Sequence, residues 1–337
     1  MTDDRRIVAE VAAAVGLAEG EAGVAAILAA LARLEPVSTR RLSRTVNLPV
    51  PIVASVCGEL RKRAVVAEER PAQLTKSGRL LYAGRRLELG RSACPTCAGL
   101  GSIVGGELAP VAAEVAKAAR TAPRPRLDLD QCHCTVGTKL HRVLALNDAD
   151  ALAGRRILLL GDDDLTSLAI QSVVRAFARG PVVEELVVLD VDPEVIGFVR
   201  TRLWEAPFPV SCVEHDLRDP LPASLESRFD TIVTDPPYTV PAGRLFLSRA
   251  ARALRGEGGN VFFSFGSRRP GAAREVQRAI AEMGFVIRRL VPDFNEYVGA
   301  GVLGGTSHLY HLVASPDVRP AVNGFSDAPL YTGDRAP

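Results

Sequence analysis

Apolar positions follow two different patterns along the chain, and the change between them divides it. From about residue 155, short apolar runs alternate with longer stretches whose apolar residues recur at helical spacing. The runs predict strands at 157–160, 185–189, 210–213, 231–234, 260–265, 286–290 and 309–314, and the intervening stretches predict helices at 166–179, 194–204, 244–254 and 272–283. Strands joined by crossover helices make a mainly parallel, doubly wound α/β sheet. Before residue 90 the pattern is helical and broken by short turns. A helix at 21–34 stops at Glu35-Pro36, a second spans about 38–47, and a third at 51–63 places Ile52, Val53, Val56 and Leu60 on one face. Val65-Val66 and Leu74-Thr75 then predict two short strands before a last helix from Ser77.

This N-terminal order resembles the winged helix-turn-helix domain of bacterial repressors. Its third helix would present Ser55, Glu59, Arg61 and Lys62, a poor set for base edges and phosphates. The pattern therefore favours a module for dimerisation or for covering a catalytic site over DNA reading. The chain divides into a winged-helix domain at 1–90, a cysteine-containing connector at 91–140 with a helix at 108–119, a Rossmann-like domain at 141–315 and a tail at 316–337.

Composition narrows the class. The 337 residues suffice for two domains with a sizeable core, and the formal net charge of +2 announces no nucleic-acid partner. No apolar run approaches the ~20 residues of a membrane span, and the charged start MTDDRR is no signal peptide, so a soluble cytoplasmic protein is expected. Of six cysteines, Cys94 and Cys97 form a C-x-x-C knuckle, and Cys132 and Cys134 follow with His133 between them. Thiolates in such pairs suit a tetrahedral structural zinc, with His133 as a substitute ligand; a metal-free connector is the alternative. Cys57 and Cys212 lie in apolar patterns and read as core.

Candidate chemistry gathers at strand ends, where ligands of open α/β sheets bind. After the first strand comes Gly161-Asp162-Asp163-Asp164, three carboxylates where a dinucleotide-binding turn carries glycines. Such a turn repels phosphate and carboxylate and attracts cations. Its three mutually repelling charges need a compensating partner. Asp190 and Asp192 end the second strand, where an acid can bridge ribose hydroxyls, and Asp216 follows the third, where a resemblance to the methyltransferase fold implies an acid near an adenine amino group. The fourth strand ends in Asp235-Pro236-Pro237-Tyr238-Thr239, a D-P-P-Y element of the kind that holds an acceptor amine in amine-directed methyltransferases. Two prolines stiffen that turn, and Tyr238 can pack against a cation. A late loop at 292–297 reads first as an ordinary inter-strand loop, or else offers Asp293 and Glu296 to close over a substrate, and Asp128, Asp130 and Gln131 read either as site residues or as a solvated loop.

Seven strands with only a loop between the last two resemble the Rossmann-like methyltransferase fold, whose final strand is antiparallel. Over about residues 20–315, the GDDD turn, the DPPYT element, the winged-helix front and the cysteine knuckle together resemble the branched-chain polyamine synthases, the N(4)-bis(aminopropyl)spermidine synthase family. The resemblance implies transfer of an aminopropyl group from decarboxylated S-adenosylmethionine, as co-substrate, to spermidine, with release of methylthioadenosine, in a homo-oligomer. It assigns polyamine-facing roles to the two motifs: Asp162, Asp163, Asp164 and Asp235 for catalysis, and Gly161, Pro236, Pro237, Tyr238 and Thr239 for the substrate. One aspartate of the turn would take the amine's proton, assisted by Asp235, and the sequence leaves open which. An amine-directed methyltransferase using intact S-adenosylmethionine, and a winged-helix regulator with a ligand-sensing domain, are the alternatives.

Overall fold

The computed structural model describes residues 3–46, 48–82, 103–178, 182–266, 270–299 and 305–334. The chain forms two compact units, Met1–Ala93 with Gly299–Thr306, and Cys94–Val298 with Ser307–Pro337.

In the first unit, helices α1 (Asp3–Val15), α2 (Gly20–Leu34), α3 (Thr39–Val46), α4 (Val50–Lys62) and α5 (Lys76–Tyr82) bury one apolar core that includes Val24, Ile27, Leu31, Leu42, Val53, Val56 and Leu60. Of the two-stranded wing expected near Val65 and Leu74, the described residues retain isolated bridges, Val66 with Leu74 and Val37 with Ala72. Helix α1 was not anticipated; it packs Val11 and Ala12 into the core, with Ile7, Val8 and Val15 partly buried against it.

The second unit opens with α6 (Ala109–Ala119) and α7 (Val136–Asp148), then alternates β1 (Arg156–Leu160), α8 (Thr166–Phe177), β2 (Glu185–Asp190), α9 (Pro193–Arg202), β3 (Val210–Glu214), β4 (Thr231–Thr234), α10 (Val240–Ala253), β5 (Asn260–Phe265), α11 (Pro270–Glu282), β6 (Phe285–Glu296) and β7 (Thr306–Ala314). The sheet order is β3-β2-β1-β4-β5-β7-β6. β1 to β5 pair in parallel, and β7 runs antiparallel to β5, with Phe265 opposite His308. That is the mixed seven-stranded sheet the methyltransferase resemblance implies.

The central strands are apolar throughout because helices cover both faces. Ile157, Leu159, Leu186 and Val188 face α6, α7, α8 and α9, while Leu158, Leu160, Val187 and Leu189 face α10 and α11. Parallel registry brings Leu160, Leu189 and Thr234 level, so the turns after β1, β2 and β4 open on one edge of the sheet. The tail packs rather than trails: Leu330 is buried against Ala242 and Leu245, and buried Arg249 donates to the carbonyls of Leu217, Arg218, Val322 and Gly324.

Two elements depart from the sequence expectation. Residues 292–297, read as a loop, form the end of β6 as far as Glu296. Pro292 disguised the strand, and it is tolerated because β6 is the edge strand of the sheet; Asp293, at φ 52°, adds a local kink. Helix α7 has no counterpart in the apolar pattern, because its buried side includes Thr138, Lys139 and Arg142 beside Leu140, Val143 and Leu146. Thr135 caps it, its Oγ1 accepting from the Thr138 N–H at 3.2 Å. Among the described residues, no single helix is long and apolar enough to cross a membrane.

Candidate active site

The turn after β1 is made by Gly161, whose φ of 81° favours glycine, and it sends its three aspartates to different partners. Asp162 turns back on the helix it precedes: its carboxylate accepts from the Ser167 N–H at 3.2 Å and from the Ser167 hydroxyl. Burial lifts its pKa to about 7 against those two hydrogen bonds. Asp164 is buried on the opposite side, accepting from the Cys134 N–H at 2.5 Å and pairing with Arg142 Nη1 at 2.7 Å. Burial works to raise it, but the Arg142 and Lys139 charges outweigh burial and hold the carboxyl well below the usual range. Asp163, half-buried between them, has no hydrogen-bond or ion-pair partner among the described residues. Burial and the neighbouring charges of Asp164, Asp190, Asp235 and Asp162 push it well above an ordinary carboxylate.

The end of β4 meets the same guanidinium. Asp235 accepts from Arg142 Nη2 at 2.6 Å and from the Tyr297 hydroxyl at 2.6 Å on one oxygen, and from the Tyr238 hydroxyl at 2.9 Å on the other. Burial raises it to about 6, against the pull of Arg142. Both tyrosines are raised by burial and by the Asp235 charge and stay protonated donors. Glycine at 266 gives the Tyr238 ring its place, since a Cβ there would lie 3.1 Å from Cε2.

The nucleoside-side acids are built into the adjoining turns. Asp190 accepts from the Asp162 N–H at 2.8 Å and the Asp192 N–H at 2.9 Å, tying the first two strand ends together. Burial raises it. Asp192 caps α9 through the Glu194 N–H and accepts from Gln131 Nε2 at 3.1 Å. Asp216 is paired with Arg218 at 2.6 Å, which lowers it against the effect of burial.

Other expected site residues have structural partners. Thr239 caps α10, accepting from the Ala242 N–H, and donates to the Leu330 carbonyl at 2.8 Å. Pro236 is buried and Pro237 half-buried in the intervening turn, where the Pro237 carbonyl accepts from the Thr239 N–H. Asp293 donates its N–H to His308, and the Glu296 backbone meets Thr135 and Thr138; from this strand it is Asn295 and Tyr297 that reach Arg142. Asp130 holds Thr332 of the tail.

Of the four cysteines read as zinc ligands, Cys94 and Cys97 lie outside the described residues. Cys134 is buried, and its sulfur accepts from Lys139 Nζ at 3.4 Å. Burial and the Asp164 charge hold its thiol well above the usual range. Cys132 Sγ meets the Val298 carbonyl. With Cys94 and Cys97 outside the described residues, the four-cysteine site stays an expectation; among the described residues alone, no group of three His, Cys, Asp or Glu could hold a metal.

Arg142, Lys139 and Asn295 were missed by sequence reasoning. The signal was the unbalanced charge of the GDDD turn, which required a cation; Lys139 and Arg142, one helical turn apart, supply it. Five carboxylates, those of Asp162, Asp163, Asp164, Asp190 and Asp235, thus outnumber the two buried cations. Fold and site together define a Rossmann-like α/β domain with an acid-rich cluster at the edge where its parallel strands end.

The family described as the branched-chain polyamine synthase A C-terminal domain matches residues 110–319, and this chain belongs to the branched-chain polyamine synthases. It is 33% identical to an uncharacterized protein of Methanocaldococcus jannaschii over 96% of this chain and 81% of that one. It is 30% identical to N(4)-bis(aminopropyl)spermidine synthase of Thermococcus kodakarensis over 77% and 73%. Among solved structures it matches the C9 mutein of the Thermus thermophilus branched-chain polyamine synthase, in complex with N4-aminopropylspermidine and 5'-methylthioadenosine, with a TM-score of 0.74, 25% identity and coverage of 98% of this chain and 97% of that one.

Proposed function

We propose that this enzyme transfers the aminopropyl group of decarboxylated S-adenosylmethionine to an amine of spermidine or a related polyamine, giving a branched polyamine and methylthioadenosine. The observation that carries the reading is Asp163, a half-buried carboxylate with no hydrogen-bond or ion-pair partner among the described residues, beside the other acids of the turn. The Thermus relative, whose complex holds an aminopropylated spermidine and methylthioadenosine, supports it. The amine nitrogen attacks the aminopropyl carbon bound to sulfur, and the carbon–sulfur electron pair leaves with sulfur as a neutral thioether. The new ammonium passes its proton to Asp163. No oxyanion develops, so the protein's work is to align nitrogen, carbon and sulfur and to present a free amine. Asp162, Asp164 and Asp235 contribute negative field while held by protein donors, Asp162 by Ser167 and the other two by Arg142.

The N-terminal helices are read as a winged-helix module without a DNA-reading role. On α4, Glu59 is paired with Lys62 and Arg63, each at 2.6 Å, so these cations are answered within the chain. The chain aligns with the uncharacterized M. jannaschii protein over 96% of its length and with that organism's own N(4)-bis(aminopropyl)spermidine synthase over 75%. The acceptor is therefore to be read from a set of polyamines.

Calorimetry with the two donors tests the charge argument. Intact S-adenosylmethionine brings a carboxylate toward the acidic turn, so the decarboxylated donor is expected to bind at least about tenfold more tightly, about 1.4 kcal/mol. Equal affinities contradict the reading and favour a methyltransferase.

A further inference from the structure

A buried guanidinium in a site for cations is a paradox that its hydrogen bonds resolve. Arginine has five N–H donors in a planar fork. In Arg142, Nε donates to Asn295 Oδ1 at 2.9 Å, Nη1 to Asp164 Oδ2 at 2.7 Å and Thr166 Oγ1 at 3.4 Å, and Nη2 to Asp235 Oδ2 at 2.6 Å and the Tyr297 hydroxyl at 3.4 Å. Its partners come from the turn after β1, the start of α8, the end of β4 and the end of β6. No N–H is left for a ligand.

We infer that Arg142 is the positioning residue of the transfer: it fixes the GDDD turn and the DPPY element at one spacing, and it occupies Asp164 and Asp235 so that Asp163 is the carboxylate left to the amine. The inference rests on the aminopropyl-transfer reading. Its charge neutralises part of the acidic excess without competing for substrate, because every donor is spent on protein. Lysine cannot replace it, since an ammonium is a point donor that cannot span Asn295, Asp164 and Asp235 together.

The test is Arg142→Lys, assayed beside the wild type. Misplacing the two motifs by about 1 Å should lower kcat roughly 10²-fold, while methylthioadenosine, held on the nucleoside side, should bind within about threefold of the wild-type affinity. A kcat within about threefold of wild type, or methylthioadenosine affinity that falls in step with kcat, overturns the inference. If Arg142→Lys does not fold, Asn295→Ala decides: it frees Nε and leaves both ion pairs, and it should lower kcat without weakening methylthioadenosine, whereas a normal kcat overturns the inference. Absence of transfer by the wild type would instead refute the reading on which it rests.

Discussion

Asp163→Asn is expected to lower aminopropyl transfer by about 10²–10⁴-fold, the usual worth of a positioned general base, while the protein stays folded. Asparagine keeps the shape of the side chain but cannot take a proton. Because no described residue donates to Asp163, its replacement leaves no described donor orphaned, so the melting temperature should change little. The pH profile carries a second signature. Asp163 is held well above the usual carboxylate range, by burial first and then by Asp164 and Asp190. A base must be ionised to act, so wild-type rate should fall as pH drops through that raised value, and the variant should lose this dependence. Asp162→Asn gives the contrast, since its carboxylate is spent on Ser167; its main effect should be on α8. A normal kcat for Asp163→Asn, at saturating donor and polyamine, would place the base elsewhere.

Asp164→Asn is expected to be the most destabilising of the acidic substitutions, at about 3 kcal/mol. Removing one partner of a buried ion pair leaves a buried charge uncompensated, and the loss stays at the low end of that range because Asp235 still faces Arg142. The sign with pH follows from the depressed carboxyl. Stability from the pair is present above the ordinary carboxylate value and is lost as pH falls through the lower folded-state value. Urea denaturation at neutral pH measures the effect, and a loss below about 1 kcal/mol, typical of an exposed pair, would contradict the burial and geometry described for this pair.

What the sequence made legible was what repeats or concentrates. Apolar runs such as Leu158–Leu160 and Val187–Leu189 are unbroken because both faces of the sheet are covered, so a mainly parallel, doubly wound sheet could be reasoned from them. The acids of the turns were equally visible, since three aspartates together have no ordinary structural use. Their division of labour was not: Asp162, Asp163 and Asp164 are identical in sequence and differ only in what lies within reach, Ser167, nothing, and Arg142. Helix α7 was hidden because its inward side is polar, a pattern that makes sense only beside the acids it neutralises. Likewise Pro292 and Asp293 disguised the end of β6, and with it Asn295 and Tyr297. Each of these elements owes its conformation to a partner far away in the chain, which periodicity cannot register.

The most direct measurement is product identification. Purified protein is incubated with decarboxylated S-adenosylmethionine and spermidine, and separately with intact S-adenosylmethionine, and both reactions are read by mass spectrometry. The account predicts methylthioadenosine and an aminopropylated spermidine branched at the internal nitrogen, formed in equal amounts from the decarboxylated donor alone. A methylated amine from the intact donor, or no product from either, would contradict it.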